Sequence, residues 1–291
     1  MKVFKRITEV LMEAVRLLEE KGVAEPRADA EILLSHVLNT DRLNLYIRGN
    51  ELIDEKSYKD FMAYIARRLK GEPVQYIVGK SYFMGLPFKV VPGVLIPRHD
   101  TEILVERVLD EIKDVRDAVA VDVGCGSGVI AMSLARFKED IFVYAVDIDE
   151  RAVRLTLENA DLNAVAHKIK VLKGDLFDPL RELIKERSLD AIVSNPPYIS
   201  REEFDDLPVE VKDYEPFSAL YGGEDGLLYY RRIIKEGYAF LKRDGIMAFE
   251  IGYNQADMVQ YLMQEGFYDI KVFKDLAGLD RVVIGKKRKE A

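Results

Sequence analysis

The sequence predicts an α/β protein: a mostly parallel sheet of seven strands, covered by helices on both faces, preceded by a small helical bundle. Three observations predict it. Over residues 1–72, apolar side chains recur at three- and four-residue spacing, the period of one helix face. Over residues 73–97, β-rich pieces are broken by glycine and proline. Beyond Pro97, apolar runs of strand length alternate with helical patterns, the order that builds a parallel sheet.

The elements follow in order. Ile7, Val10, Leu11, Ala14, Val15 and Leu18 share one helix face, and Gly22 stops that helix. Pro26 opens a second helix, with Ala30, Leu33, Leu34 and Val37 on its apolar side. Phe61, Met62, Ile65 and Leu69 mark a third, over residues 56–70. The β-rich pieces 74–78 and 87–91, punctuated by Gly79, Gly85, Pro92 and Gly93, read as a hairpin joining two domains. A helix over 101–113 then leads into strands at 118–123, 141–147, 169–172, 191–194, 246–251, 270–273 and 281–284. Ligands of such sheets sit beyond the carboxyl ends of the strands, where the strand order reverses.

Composition narrows the function classes. The chain has 291 residues, 48 % of them hydrophobic, enough for a sizeable core. Its 43 basic and 51 acidic residues give a net charge of -8, a balance that does not favour a phosphate backbone as main partner. The basic run Lys286-Lys287-Arg288-Lys289 reads as a solvated terminus. A single cysteine, Cys125, excludes a disulfide framework and a multi-cysteine zinc site. Three scattered histidines, His36, His99 and His167, give no metal-ligand spacing, so no metal is expected. No signal-peptide core and no membrane-spanning run is visible, which points to a cytoplasmic protein.

Four segments carry chemistry. Asp122-Val123-Gly124-Cys125-Gly126-Ser127-Gly128 follows the first sheet strand and opens a helix. Glycines there admit positive φ and let the backbone approach a ligand, while the helix N-terminus offers free N–H donors. A dinucleotide loop of the form G-x-G-x-x-G needs glycine where Val129 stands. The run here is G-x-G-x-G, and it resembles the S-adenosylmethionine loop of class I methyltransferases. Cys125 reads as a small filler of that loop rather than a nucleophile. Asp147 ends the second strand, where an acid can accept from both ribose hydroxyls; the plainer reading is a solvent-facing strand end. Gly174-Asp175-Leu176-Phe177 follows the third strand. In methyltransferases the equivalent acid receives the adenine amino group and apolar neighbours enclose the ring; the plainer reading is a turn acid.

The fourth segment, Asn195-Pro196-Pro197-Tyr198, ends the fourth strand. Each residue before a proline is held extended, so the segment is stiff. A planar –NH2 has two donors to satisfy. The Asn195 side-chain oxygen can accept one and the Pro196 carbonyl the other, and Tyr198 offers an aromatic face. Glu250, in the fifth strand, either lines this pocket or is structural.

N-P-P-Y occurs in amino-methyltransferases that act on adenine, on guanine and on protein glutamine. Three further stretches, 73–79 (PVQYIVG), 95–102 (LIPRHDTE) and 214–227 (YEPFSALYGGEDGL), resemble the HemK/PrmC family. His99 stands where that family usually has proline, and Leu176 where some members place tryptophan. The resemblance covers nearly the whole chain. It implies a class I, Rossmann-like methyltransferase domain over 98–291, a hairpin linker over 73–97 and a helical substrate-recognition domain over 1–72. It implies methyl transfer from S-adenosyl-L-methionine, leaving S-adenosyl-L-homocysteine, to N5 of the glutamine in the Gly-Gly-Gln motif of class 1 peptide chain release factors. Asn195, Pro196 and Tyr198 are then the catalytic candidates, and Pro197 joins them in binding substrate. Gly124, Cys125, Gly126, Ser127, Gly128, Asp147, Asp175, Leu176 and Asn195 are the cofactor-binding candidates. The alternative acceptor is N6 of adenine or N2 of guanine in DNA or RNA, which base flipping would present. A non-enzymatic cofactor-binding module is the third reading, and the intact glycine loop and tetrapeptide argue against it.

Overall fold

A computed structural model describes residues 5–288. The chain forms two compact units, one running up to Lys80 and including Val209–Tyr214, the other holding Ser81–Pro208 and the chain from Glu215 onward. The first unit contains α1 (Ile7–Glu20), α2 (Pro26–Val37), α3 (Arg42–Ile47), α4 (Glu55–Arg68) and α5 (Val74–Val78). The periodic residues of α1 are all buried, and they meet Leu33 and Leu34 of α2 and Phe61 and Ile65 of α4 in one core. Asp54 caps α4 by accepting from the Lys56 and Ser57 N–H groups, each at 3.0 Å. Arg68 lies buried at the end of α4 and donates to Asp29 at 2.6 Å and also to Glu210. That ion pair, with the Tyr214 hydroxyl donating to the Lys70 carbonyl at 2.9 Å, fixes the later segment in this unit.

One expectation needs correction here, and one helix was not foreseen. Residues 74–78 are helix, not strand. Pro73 presets the first turn, Gly79 closes it at φ 69°, and Val74, Tyr76 and Ile77 are buried. Helix α3, six residues long with only Leu45 buried, is too short to show a period, and its start is set by Asp41 accepting from Asn44 N–H at 2.8 Å.

In the second unit, β1 (Lys80–Phe83) and β2 (Leu86–Lys89) form the hairpin, and Phe83 and Phe88 bury their rings edge to face, 6.3 Å apart. There follow α6 (Asp100–Ile112), β3 (Ala118–Val123), α7 (Val129–Phe137), β4 (Ile141–Asp147), α8 (Glu150–Leu162), β5 (Ile169–Lys173) and β6 (Leu189–Ser194). Short helices α9 (Arg201–Asp205), α10 (Val209–Lys212, in the first unit) and α11 (Phe217–Leu220) precede α12 (Leu228–Gly237). The chain closes with β7 (Leu241–Glu250), α13 (Ala256–Met263), β8 (Phe267–Lys274) and β9 (Asp280–Lys287).

The sheet order is β5-β4-β3-β6-β7-β9-β8. Neighbours from β5 to β7 run parallel, and β9 is antiparallel to both β7 and β8. Strand β3 therefore sits where the order reverses, and the carboxyl ends of β3, β4, β5 and β6 open on one edge. The basic run is not a solvated tail. Lys286 pairs with Glu111 at 2.9 Å, and buried Lys287 donates to the Tyr238 and Leu241 carbonyls at 2.8 and 3.1 Å, with its ammonium over the Tyr238 ring. Paired this way, each cation completes the last strand instead of leaving it. Lys289 lies outside the described residues.

Candidate functional site

Strand ends build a cavity of about 270 Å³ inside the second unit. Gly124, Cys125, Gly126, Ser127, Asp147, Asp175, Leu176, Asn195, Pro196 and Pro197 line it together, with Arg98, Thr101, Tyr229, Arg232 and Ile233 among the other walls. Gly128 and Tyr198 do not line it.

The glycine loop has a physical reason at each glycine. Gly124, Gly126 and Gly128 stand at φ 74°, 57° and 82°, the left-handed region that costs a side-chain-bearing residue. A Cβ on Gly124 would meet nothing within 4 Å, so the space over the loop is open. Gly128 has another task. It supplies the N-cap of α7, and a Cβ there would come within 2.8 Å of the Met132 sulfur and 3.0 Å of Thr156. It packs against α7 and α8 beneath the loop.

Asp147 holds the loop. Its Oδ2 accepts from Gly126 N–H at 2.8 Å and its Oδ1 from Asp149 N–H at 2.9 Å. Burial raises its pKa and these N–H groups oppose that rise. Each oxygen keeps a further lone pair for an outside donor. The Cys125 thiol is buried 3.5 Å from the Thr156 hydroxyl, and burial pushes its pKa up, so it is held as an unreactive thiol.

Asp175 is not a lone turn acid. Arg232 of α12 binds both its oxygens, at 3.2 and 2.9 Å. The Asp175 carboxylate is thus already paired with a guanidinium, a neighbour the sequence did not signal. Leu176 adopts φ 46° and is 9 % exposed, turning its side chain into the apolar wall.

At the end of β6, Asn195 Nδ2 donates to Thr101 Oγ1 at 3.1 Å, and Thr101 in turn donates to Glu250 Oε2 at 2.5 Å. Among the described residues no protein donor reaches Asn195 Oδ1 or the Pro196 carbonyl. Glu250 is 1 % exposed, and burial pushes its pKa up to about 7. Tyr198 is bonded through both its hydroxyl and its main chain. Its hydroxyl points to Glu250 Oε1 at 3.4 Å, and its carbonyl accepts from Gln255 Nε2 at 2.9 Å. Burial raises the phenol pKa.

The glycine-rich stretch singled out near residue 222 packs against this tetrapeptide. A Cβ on Gly222 would lie 2.6 Å from the Pro197 carbonyl and 2.7 Å from the Tyr198 Cα. Arg98 Nη2 donates to both oxygens of buried Glu215, at 2.7 and 2.8 Å, so the two family-like stretches around them are one paired structure. Among the described residues no cluster of His, Cys, Asp and Glu could hold a metal ion, and no helix is long and apolar enough to cross a membrane.

Comparison with known proteins agrees with this architecture. Residues 9–79 match the family model of the PrmC N-terminal domain, and residues 98–209 that of the methyltransferase small domain. The release factor glutamine methyltransferase of Clostridium botulinum is 41 % identical over 283 residues, 97 % of this chain and 99 % of that one. Its namesake in Aquifex aeolicus is 39 % identical over 273 residues, 94 % and 95 % of the two chains. The catalytic domain of hMettl16, solved with a MAT2A 3'UTR hairpin, shares the fold at a TM-score of 0.57 with 16 % identity, over 78 % of this chain and 83 % of that one. With matched segments in both halves and relatives similar along almost their full length, the chain belongs to the release factor glutamine methyltransferase family.

Proposed function

We propose that this enzyme transfers the methyl group of S-adenosylmethionine to the side-chain nitrogen N5 of the glutamine in the Gly-Gly-Gln loop of class 1 release factors. One observation carries the reading. Asn195 Oδ1 and the Pro196 carbonyl are two acceptors without protein donors, at the cavity edge beside an open glycine loop. Two acceptors match the two N–H donors of a primary amide.

The residues present fit the cofactor. The open backbone over Gly124 suits the methionine part, Asp147 retains acceptor capacity for ribose hydroxyls, and Leu176 and Ile233 offer apolar walls for a purine. When bound, the sulfonium supplies an activated methyl group. Asn195 and Pro196 hold the amide so that the nitrogen lone pair faces along one axis, and such alignment is worth several kcal/mol of barrier. Their hydrogen bonds return electron density to a nitrogen otherwise delocalised into its carbonyl. With the cofactor held over Gly124 and Gly126, its methyl group would pass from sulfur to the amide nitrogen. The methylated amide then loses its proton to solvent, so no strong base is needed beforehand. Asp175 and Arg232 act as a pair at the purine end.

The relatives' names favour glutamine over a base amino group. The helical residues 1–72 serve as the recognition surface for the release factor body, and the reaction takes place in the cytoplasm. Incubation with labelled donor and, in parallel, release factor, ribosomal RNA or DNA tests the reading. Mass spectrometry is expected to find one added methyl on the Gly-Gly-Gln glutamine. Label in nucleic acid but not in the release factor would sink it.

A further inference from the structure

We infer that Thr101 and Glu250 are positioning residues that decide which end of the Asn195 side-chain amide faces the substrate. The inference rests on the acceptor role proposed for Asn195 and adds what enforces that role.

An asparagine amide has two nearly isosteric ends, an acceptor oxygen and a donor –NH2, and nothing in its shape chooses between them. The choice is made by its neighbour. Thr101 has one hydroxyl proton, and at 2.5 Å from Glu250 Oε2 that proton is committed to the carboxylate. The Thr101 oxygen can then only accept from the amide. It therefore selects Asn195 Nδ2, which sits 3.1 Å away, and turns Oδ1 outward. The polarity of the chain runs from Asn195 through Thr101 to Glu250. Thr101 is 2 % exposed, so water does not compete for these bonds.

The same chain has a second polarity. A protonated Glu250 can donate to Thr101, which frees the Thr101 proton to donate to the amide. Asn195 then presents –NH2 to an incoming –NH2, two donors facing each other. Every charged or titratable group around Glu250 bears on this balance. Thr101 and the Asp100 carboxylate come from α6, the Tyr198 hydroxyl from beyond β6, and the Arg281 guanidinium from β9. Arg281 is itself shared, at 3.0 Å from Asp275 and 3.4 Å from Asp100. From α12, the Tyr230 hydroxyl donates to the Glu250 main-chain carbonyl at 2.9 Å. Burial raises the Glu250 pKa to about 7, which puts the reversal within reach of ordinary buffers.

The test uses the full chain with a release factor and S-adenosylmethionine. Thr101→Val keeps the shape and removes both hydrogen bonds; Thr101→Ser restores them. Thr101→Val is expected to lower turnover about tenfold or more at about pH 8, with cofactor affinity within about threefold of wild type. Thr101→Ser is expected to regain turnover to within about threefold. Wild type is expected to lose turnover as pH falls through about 7, and Thr101→Val to lose that acid limb, a change that a merely structural role would not produce. Wild-type turnover in Thr101→Val, or an unchanged acid limb in it, would overturn the inference. Asn195→Ala, assayed alongside, separates the two layers. If it too retains turnover, the acceptor reading itself has failed; if it alone collapses, only the role of Thr101 and Glu250 has.

Discussion

The Asp147 carboxylate accepts from the Gly126 N–H at 2.8 Å, tying the end of β4 to the middle of the glycine loop. One acid thus shapes the loop and retains lone pairs for a further donor. Asp147→Ala is expected to weaken S-adenosylmethionine binding about tenfold or more, with turnover at saturating cofactor changed much less. Titration calorimetry beside steady-state kinetics checks this. Unchanged affinity with lost turnover would remove Asp147 from the cofactor site.

Gly222 touches the tetrapeptide that Asn195 begins. Its hydrogen leaves just enough room for the Pro197 carbonyl and the Tyr198 Cα, and a methyl group would push both. Gly222→Ala is expected to cost about 1–3 kcal/mol of stability, the usual range for overpacking. Turnover is expected to fall while cofactor affinity holds. A variant with wild-type melting and turnover would show that the contact does not fix the loop.

Much of this was legible in the sequence, and the failures have particular causes. Apolar runs such as Ala118–Val123 identified the sheet because both faces of a central strand are buried. The Asn195 tetrapeptide and the glycine loop were legible because proline and glycine restrict or free the backbone locally. Thr101, Arg232 and the Arg98–Glu215 pair were not, because each acts on a partner far along the chain. Residues 74–78 misled because a β-branched, aromatic run of five looks the same whether tertiary burial makes it helix or strand. Lys287 misled because its burial depends on carbonyls at Tyr238 and Leu241.

Asp122 sits fully buried in β3, with Oδ2 accepting from Ala131 N–H at 3.1 Å and Oδ1 unpaired. Burial pushes its pKa up to about 7, above the unfolded value near 4. The native state therefore holds a proton that the unfolded chain releases. This contribution to stability is present in full below the unfolded pKa, falls as pH rises between the two values, and is lost above the folded one. Asp122→Asn is expected to be more stable than wild type at about pH 8, by at most about 4 kcal/mol, and to show no such gain at about pH 4. Urea denaturation at both pH values decides it; an equal difference at both would rule out titration as the cause.

In the helical unit, Arg68 and Asp29 form a buried ion pair at 2.6 Å. Removing one partner leaves the other charge without compensation. Arg68→Met is expected to cost about 3–5 kcal/mol in chemical denaturation. A loss below about 1 kcal/mol would show that Asp29 finds another partner or a proton.

Asn195 acts, in the proposed reaction, upon the acceptor amide rather than on the cofactor. Asn195→Ala, measured for methyl transfer to the release factor glutamine and for S-adenosylmethionine affinity, tests this most directly. Turnover is expected to drop by about a hundredfold or more while the dissociation constant stays within a few fold. A parallel loss of both quantities, or turnover left intact, would contradict it.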